Sequence, residues 1–111
     1  GTYSGGACST GGSGGGGGAS QAGCAGVPGQ GHSGGSNYGG GGGAGADGAP
    51  GMAGSGGTGL EWPAMSGVRY GTGGNGYPGA QVPGAPGTGD GGAWNACGGS
   101  GTVRLRYPWN P

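Results

Sequence analysis

From Gly39 to Gly57 the chain reads GGGGGAGADGAPGMAGSGG. Gly39, Gly42, Gly45, Gly48, Gly51, Gly54 and Gly57 fall three residues apart within it. Neither an α-helix nor a β-strand needs glycine at that spacing. An extended helix with three residues per turn does, because its N–H and C=O groups point outward and have no internal partners. If the facing residues lack a Cβ, neighbouring helices of this kind can pair through those groups, helped by weak Cα–H···O contacts. Shorter runs of the same period occur at Gly23, Gly26 and Gly29, at Gly73, Gly76 and Gly79, and at Gly84 and Gly87. The frame shifts between runs. Collagen keeps a strict frame and is richer in Pro, at roughly 15–20%. Several short three-fold helices joined by turns therefore fit better than one long one. The consecutive glycines Gly14–Gly18 and Gly39–Gly43 suit the innermost positions, where no face can carry a side chain.

The rest of the composition agrees. The chain has 111 residues, of which 42 are Gly and 8 are Pro, and it lacks Phe. Ile and Lys are absent too, so an ordinary hydrophobic core cannot be assembled. Glycine loses the most backbone entropy on folding, and a chain this rich in it stays disordered unless backbone pairing compensates. Flexible linkers, however, seldom carry 3 Trp and 5 Tyr. With 3 Arg, 3 acids and zero net charge there is no basic nucleic-acid footprint. No apolar run approaches the roughly 18 residues of a membrane span, and no signal-peptide pattern is visible. A P-loop is excluded because its Lys has no candidate.

Large side chains gather in islands: Leu60-Glu61-Trp62-Pro63-Ala64-Met65 with Val68-Arg69-Tyr70, then Tyr77-Pro78 with Gln81-Val82-Pro83, then Ala93-Trp94-Asn95-Ala96-Cys97. In a glycine bundle these belong at loop tips or on an outer face. Two readings stay open. Exposed aromatic loops on a rigid scaffold are a usual place for binding; alternatively Trp62, Met65 and Trp94 form a small apolar cap. Thr102–Tyr107 alternates with period two, Val103, Leu105 and Tyr107 against Thr102, Arg104 and Arg106. That is a half-buried strand, stopped by Pro108. It needs a partner, which Thr2-Tyr3-Ser4 or a neighbouring chain could supply.

Three cysteines, Cys8, Cys24 and Cys97, allow one disulfide and one leftover thiol. Cys8–Cys24 closes the shorter loop and is preferred, with Cys97 an alternative partner; a bridge suits an extracellular or particle-surface setting. A zinc site would have to collect Cys8, Cys24, Cys97 and His32 from afar, so no metal is expected. His32 reads as exposed. Three acids and one His offer no catalytic pairing, so enzyme function and cofactors are not expected. Gly54-Ser55-Gly56-Gly57-Thr58-Gly59 matches GxGxxG, but no strand precedes it and chance matches are expected at this glycine content. Gly42-Gly43-Ala44-Gly45-Ala46-Asp47 begins like a calcium nonapeptide repeat, yet the large aliphatic position falls on Ala49 and no second copy follows. Asp47 and Asp90 are expected at turns.

The end Gly98-Gly99-Ser100-Gly101-Thr102-Val103-Arg104-Leu105-Arg106-Tyr107-Pro108 resembles the terminal segment of glycine-rich domains in bacteriophage tail and tail-fibre proteins of the adhesin type. The preceding glycine runs broken by variable islands are similar to those domains along nearly the whole chain. The family's strand is purely aliphatic before its Arg, whereas Arg104 stands inside it here. The family's long N-terminal β-region is not seen, as expected of a domain fragment or a smaller relative. The resemblance implies a polyglycine II sandwich whose variable loops contact a host receptor. Carried over, the receptor loops are Leu60–Tyr70, Tyr77–Val82 and Ala93–Asn95, with Leu60, Trp62, Met65, Arg69, Tyr70, Tyr77 and Trp94 as contact residues.

The expectation is thus one irregular domain, 1–111, with little helix. A polyglycine II bundle would occupy about 5–101 and a closing strand 102–107. The leading function is a non-enzymatic structural and receptor-binding domain, extracellular or on a virion tail. Its partners would be a host-surface glycan or outer-membrane protein and other tail subunits, with no nucleic acid and no membrane insertion. Trp62 or Trp94 would stack on a sugar face. A self-assembling fibril subunit is the alternative, and a homo-oligomer is compatible with both. An ice-binding protein is a weaker third, since Thr2, Thr10, Thr58, Thr72, Thr88 and Thr102 form no regular stripe.

Overall fold

The first two peptide legs that contain a glycine run show how the chain is held. Gly14 and Gly17 donate their N–H groups to the carbonyls of His32 and Gly35, three residues apart on both sides, so these legs run parallel. Cys24 and Val27 donate to Gly15 and Gly12, again three apart but in the opposite direction. The same step recurs where Gly41 and Ala44 donate to Gly74 and Gly71, and where Gly73 and Gly76 donate to Gly57 and Gly54. A β-ladder repeats every two residues; this network repeats every three.

The computed structural model describes residues 12–63, 65–94, 96–101, 103 and 108. Among these it is irregular, with no helix and one two-stranded antiparallel sheet, β1 (Leu60–Glu61) and β2 (Arg69–Tyr70). Everything else is extended leg or turn. Legs 14–18, 31–35, 47–50, 71–76 and 90–93 run one way; legs 21–27, 39–43, 54–59, 80–85 and 97–101 run back. Turns therefore fall alternately at two ends. Turns 28–30, 44–46 and 86–89 share one end with the β1–β2 excursion, and turns 19–20, 36–38, 51–53, 77–79 and 94–96 share the other. An extended six-residue leg such as 71–76 spans at most ~20 Å, which sets the distance between the ends. The Cα radius of gyration is 14.2 Å, against ~13 Å for a folded chain of this length and ~30 Å for an unfolded one.

Leg 39–43 is the centre. Its successive N–H groups turn to different neighbours: Gly40 to Ala49, Gly41 to Gly74, Gly42 to Gly14, then Gly43 to Ala46, with Ala44 returning to Gly71. Its carbonyls accept from His32, Gly35 and Gly57 on further legs. Close approach is what makes this geometry available, since a Cβ at Gly42 or Gly43 would overlap the carbonyl of His32 or Gly57. The interior is accordingly backbone. Ala93, 5% exposed, is the one buried hydrophobic residue among the described residues, and none of them has a large side chain fully buried. Stability rests on hydrogen bonds of about 0.5–1.5 kcal/mol each rather than on buried apolar area.

Side chains finish the leg ends. Asp47 Oδ1 accepts from Ser33 N at 2.9 Å, Asp90 Oδ1 from Thr72 N at 2.8 Å and Asn75 Oδ1 from Gly56 N at 2.9 Å. Gly54, Gly56 and Gly59 of the GxGxxG match are packing glycines, each pressed against a neighbouring carbonyl. Cys24 is disulfide-bonded, and Cys97 is free and exposed. The expected partner Cys8 and the expected strand 102–107, apart from Val103, lie outside the described residues.

Several non-glycine residues take up left-handed backbone in the turns. Ala53, at φ 54°, is the plainest. Its Cβ costs about 1–2 kcal/mol there, while Gly would add roughly 0.4–1 kcal/mol of unfolded-state entropy. Ala53→Gly is therefore expected to raise stability by about 0.5–1 kcal/mol, read as a higher urea midpoint at unchanged slope.

Candidate functional site

The side chains excluded from the bundle collect at its two ends. At the hairpin end, Leu60 pairs with Tyr70 and Glu61 with Arg69. Trp62 N donates to Val68 O at 3.2 Å and so extends the pairing by one step. Met65 at φ 62° and Gly67 at φ 79° turn the tip. Ser66 N donates to Pro63 O at 3.1 Å, and Ser66 Oγ accepts from Val68 N at 3.2 Å. Arg69 ties the hairpin to the scaffold: Nη1 donates to Gly59 O at 3.1 Å, and Nη2 lies 3.5 Å from Glu61 Oε1.

This local order leaves apolar surface outside. Leu60 is 57% exposed, Trp62 40%, Met65 94% and Val68 44%. Between the hairpin and turn 86–89 lies an open cleft of about 460 Å³, lined by Ala44, Leu60, Glu61, Trp62, Tyr70 and Thr88 together with the backbone of Gly89 and Gly101. His32 and Asp47 sit on the neighbouring rim, Nδ1 to Oδ1 3.3 Å, both exposed as expected for His32.

The opposite end is built differently. Tyr77 packs at once on Tyr38 (ring centroids 5.2 Å apart, tilted by 47°) and on Trp94 (4.8 Å, edge-on at 85°). Trp94 Nε1 donates to Gly79 O at 2.7 Å. All three rings are half-buried. The peptide bonds Trp62–Pro63 and Tyr77–Pro78, one at each end, are both cis.

The sequence-predicted contact residues therefore divide. Leu60, Trp62, Met65, Arg69 and Tyr70 come together at the hairpin end. Tyr77 and Trp94 come together about one leg length away. Trp62, Met65 and Trp94 do not form a common cap, because Trp94 is at the other end. Ala93, counted within the third loop, is buried, and its N–H donates to Val82 O at 2.8 Å; Asn95 lies outside the described residues. Sequence reasoning missed Tyr38. Its signal is positional: it ends turn 36–38, and that turn shares an end with turn 77–79. Among the described residues no three of His, Cys, Asp and Glu gather as metal ligands, and no helix is long and apolar enough to cross a membrane. No family model, curated protein or solved structure matches the chain.

Proposed function

We propose that the chain is a polyglycine II bundle acting as a non-enzymatic structural and receptor-binding domain of a phage tail or tail fibre. The hairpin end would face a host-surface glycan or outer-membrane protein. The fold part of this reading is supported by the three-residue rotation of donors along leg 39–43, which a three-fold helix requires and a strand does not. The functional part is carried by one observation: a lattice that excludes side chains holds Leu60, Trp62, Met65 and Val68 exposed on a single hydrogen-bonded excursion. Exposed apolar groups on a rigid support cost little ordering entropy on binding, and a clustered apolar patch of this kind is a mark of contact surfaces. The resemblance of residues 98–108 to phage tail domains supplies the setting, extracellular and on a virion.

The experiment is binding of the fluorescently labelled chain to candidate host cells. Trp62→Ala is expected to lower cell binding at least about tenfold, the loss typical of a central aromatic anchor, while the chain stays folded and loses less than about 1 kcal/mol of stability. Loss of folding instead would assign Trp62 to the scaffold.

A self-assembling subunit is the second reading, favoured by a separate feature. A backbone-walled groove of about 440 Å³ runs between the legs containing Gly15, Gly41, Gly73 and Gly91. Among the described residues a Cβ at Gly15 would meet nothing, and at Gly41 nothing nearer than 3.7 Å. A glycine leg of another copy fits such a wall. Growth of molar mass with concentration is the signature of this reading, and a monomer at all concentrations counts against it.

A further inference from the structure

We infer that the cleft beside the β1–β2 hairpin is a saccharide site that seats a neutral pyranose ring on Trp62. The inference rests on the receptor-binding reading and chooses between the two aromatic ends. The far end is already satisfied within the chain: Trp94 gives its N–H to Gly79 O, and its ring stands edge-on to Tyr77. Trp62 is 40% exposed, and its indole makes no hydrogen bond or ring contact among the described residues. A tryptophan half in water joins an apolar face to a donor at its edge. A pyranose is the matching shape, with an apolar face of C–H bonds and a rim of hydroxyls.

The walls agree with that class of ligand. The cleft, at about 460 Å³, falls in the range of small-molecule sites, roughly 300–1,000 Å³ with a mainly apolar lining and a few polar groups. Leu60 and Tyr70 stand opposite each other in the register and share a face of the hairpin. Glu61 is the only charged residue among the described residues of the wall. Its carboxylate can accept from two ring hydroxyls, while its pairing with Arg69 at 3.5 Å leaves the hairpin electrically balanced. Among the described residues nothing in the cleft favours an anionic or a cationic ligand over a neutral one.

The test is a titration of the 15N-labelled chain with methyl β-D-glucopyranoside and methyl β-D-galactopyranoside, followed by NMR. The expected result is saturable shifts at the Trp62 indole N–H and at the amides of Leu60, Tyr70 and Gly89, at millimolar affinity. Trp62→Ala and, independently, Glu61→Gln should each weaken binding at least about tenfold, whereas Trp94→Phe should leave it unchanged. Glu61→Gln keeps the size of the side chain, so it serves even if Trp62→Ala unfolds. No saturable shift with either glycoside, or shifts centred on Trp94 and Tyr77, overturns the inference. Cell binding separates it from the broader reading: cells bound without glycoside shifts sink the saccharide site alone, and glycoside shifts without cell binding sink the receptor reading alone.

Discussion

Gly16→Ala is expected not to fold, while Gly15→Ala, one residue away, folds with unchanged or slightly higher stability. A Cβ at Gly16 would overlap the carbonyl of Gly39 on the central leg and come within 3.0 Å of the Gly40 carbonyl carbon. Overpacking a side-chain core costs about 1–3 kcal/mol because rotamers give way. Here the obstacle is backbone held by its own hydrogen bonds, including Gly14 to His32, Gly42 to Gly14 and Cys24 to Gly15. Parting the legs forfeits several bonds of about 0.5–1.5 kcal/mol each, a sum comparable to the roughly 5 kcal/mol margin of a small domain. At Gly15 an added Cβ meets nothing among the described residues, and replacing Gly there lowers unfolded-state entropy, worth about 0.4–1 kcal/mol. The central leg should repeat the contrast: Gly40→Ala collides with the Ser55 carbonyl, and Gly41→Ala makes only ordinary contacts at 3.7 Å. Urea unfolding of the four variants reads the result. Equal effects at Gly15 and Gly16 would mean that the legs do not pack as described.

The second large effect separates the two tryptophans. Trp94→Ala should destabilise the chain by about 2–3 kcal/mol and Trp62→Ala by less than about 1 kcal/mol. Trp94 would lose its edge-on contact with Tyr77, worth about 0.5–1.5 kcal/mol beyond area. It would also lose its bond to Gly79 O, worth a similar amount, and half-buried ring area besides. Tyr38, held at φ 62° beneath the same cluster, would lose the packing that offsets its backbone cost. Among the described residues Trp62 supports only the hairpin tip, through its N–H to Val68 O. The thermal midpoint should fall by roughly 10 °C or more for Trp94→Ala and by little for Trp62→Ala. The reverse order would make the hairpin the structural end.

Much of this architecture is legible residue by residue. The run Gly39–Gly43 reads as an innermost segment, and that leg donates to three neighbours in turn; a Cβ is shut out at Gly39, Gly40, Gly42 and Gly43 but has room at Gly41. The period-three run from Gly39 to Gly57 is not one continuous element, however. Turns 44–46 and 51–53 interrupt it, so the shared frame spans several legs. The run Gly14–Gly18 is only partly interior: Gly14, Gly17 and Gly18 are buried, but Gly15 is exposed. The short pairing of Leu60–Glu61 with Arg69–Tyr70 is too brief to leave a period-two signature. It forms because the two legs it joins, 54–59 and 71–76, are already side by side. The division of the aromatic islands was the least legible feature. Which end an island occupies depends on the parity of the turns before it, and a single misjudged turn moves it a full leg length away. Tyr38 is illegible for the same reason, since nothing local in the sequence links it to Tyr77 and Trp94.

The three-residue hydrogen-bond pattern is tested most directly by scalar couplings across hydrogen bonds in the uniformly 15N,13C-labelled chain. Couplings are expected from the amide nitrogens of Gly40, Gly41 and Gly42 to the carbonyl carbons of Ala49, Gly74 and Gly14, three consecutive donors reaching three different legs. Couplings that return to the same neighbour at every second residue, or none at all with amides exchanging as freely as in an unfolded chain, would contradict it.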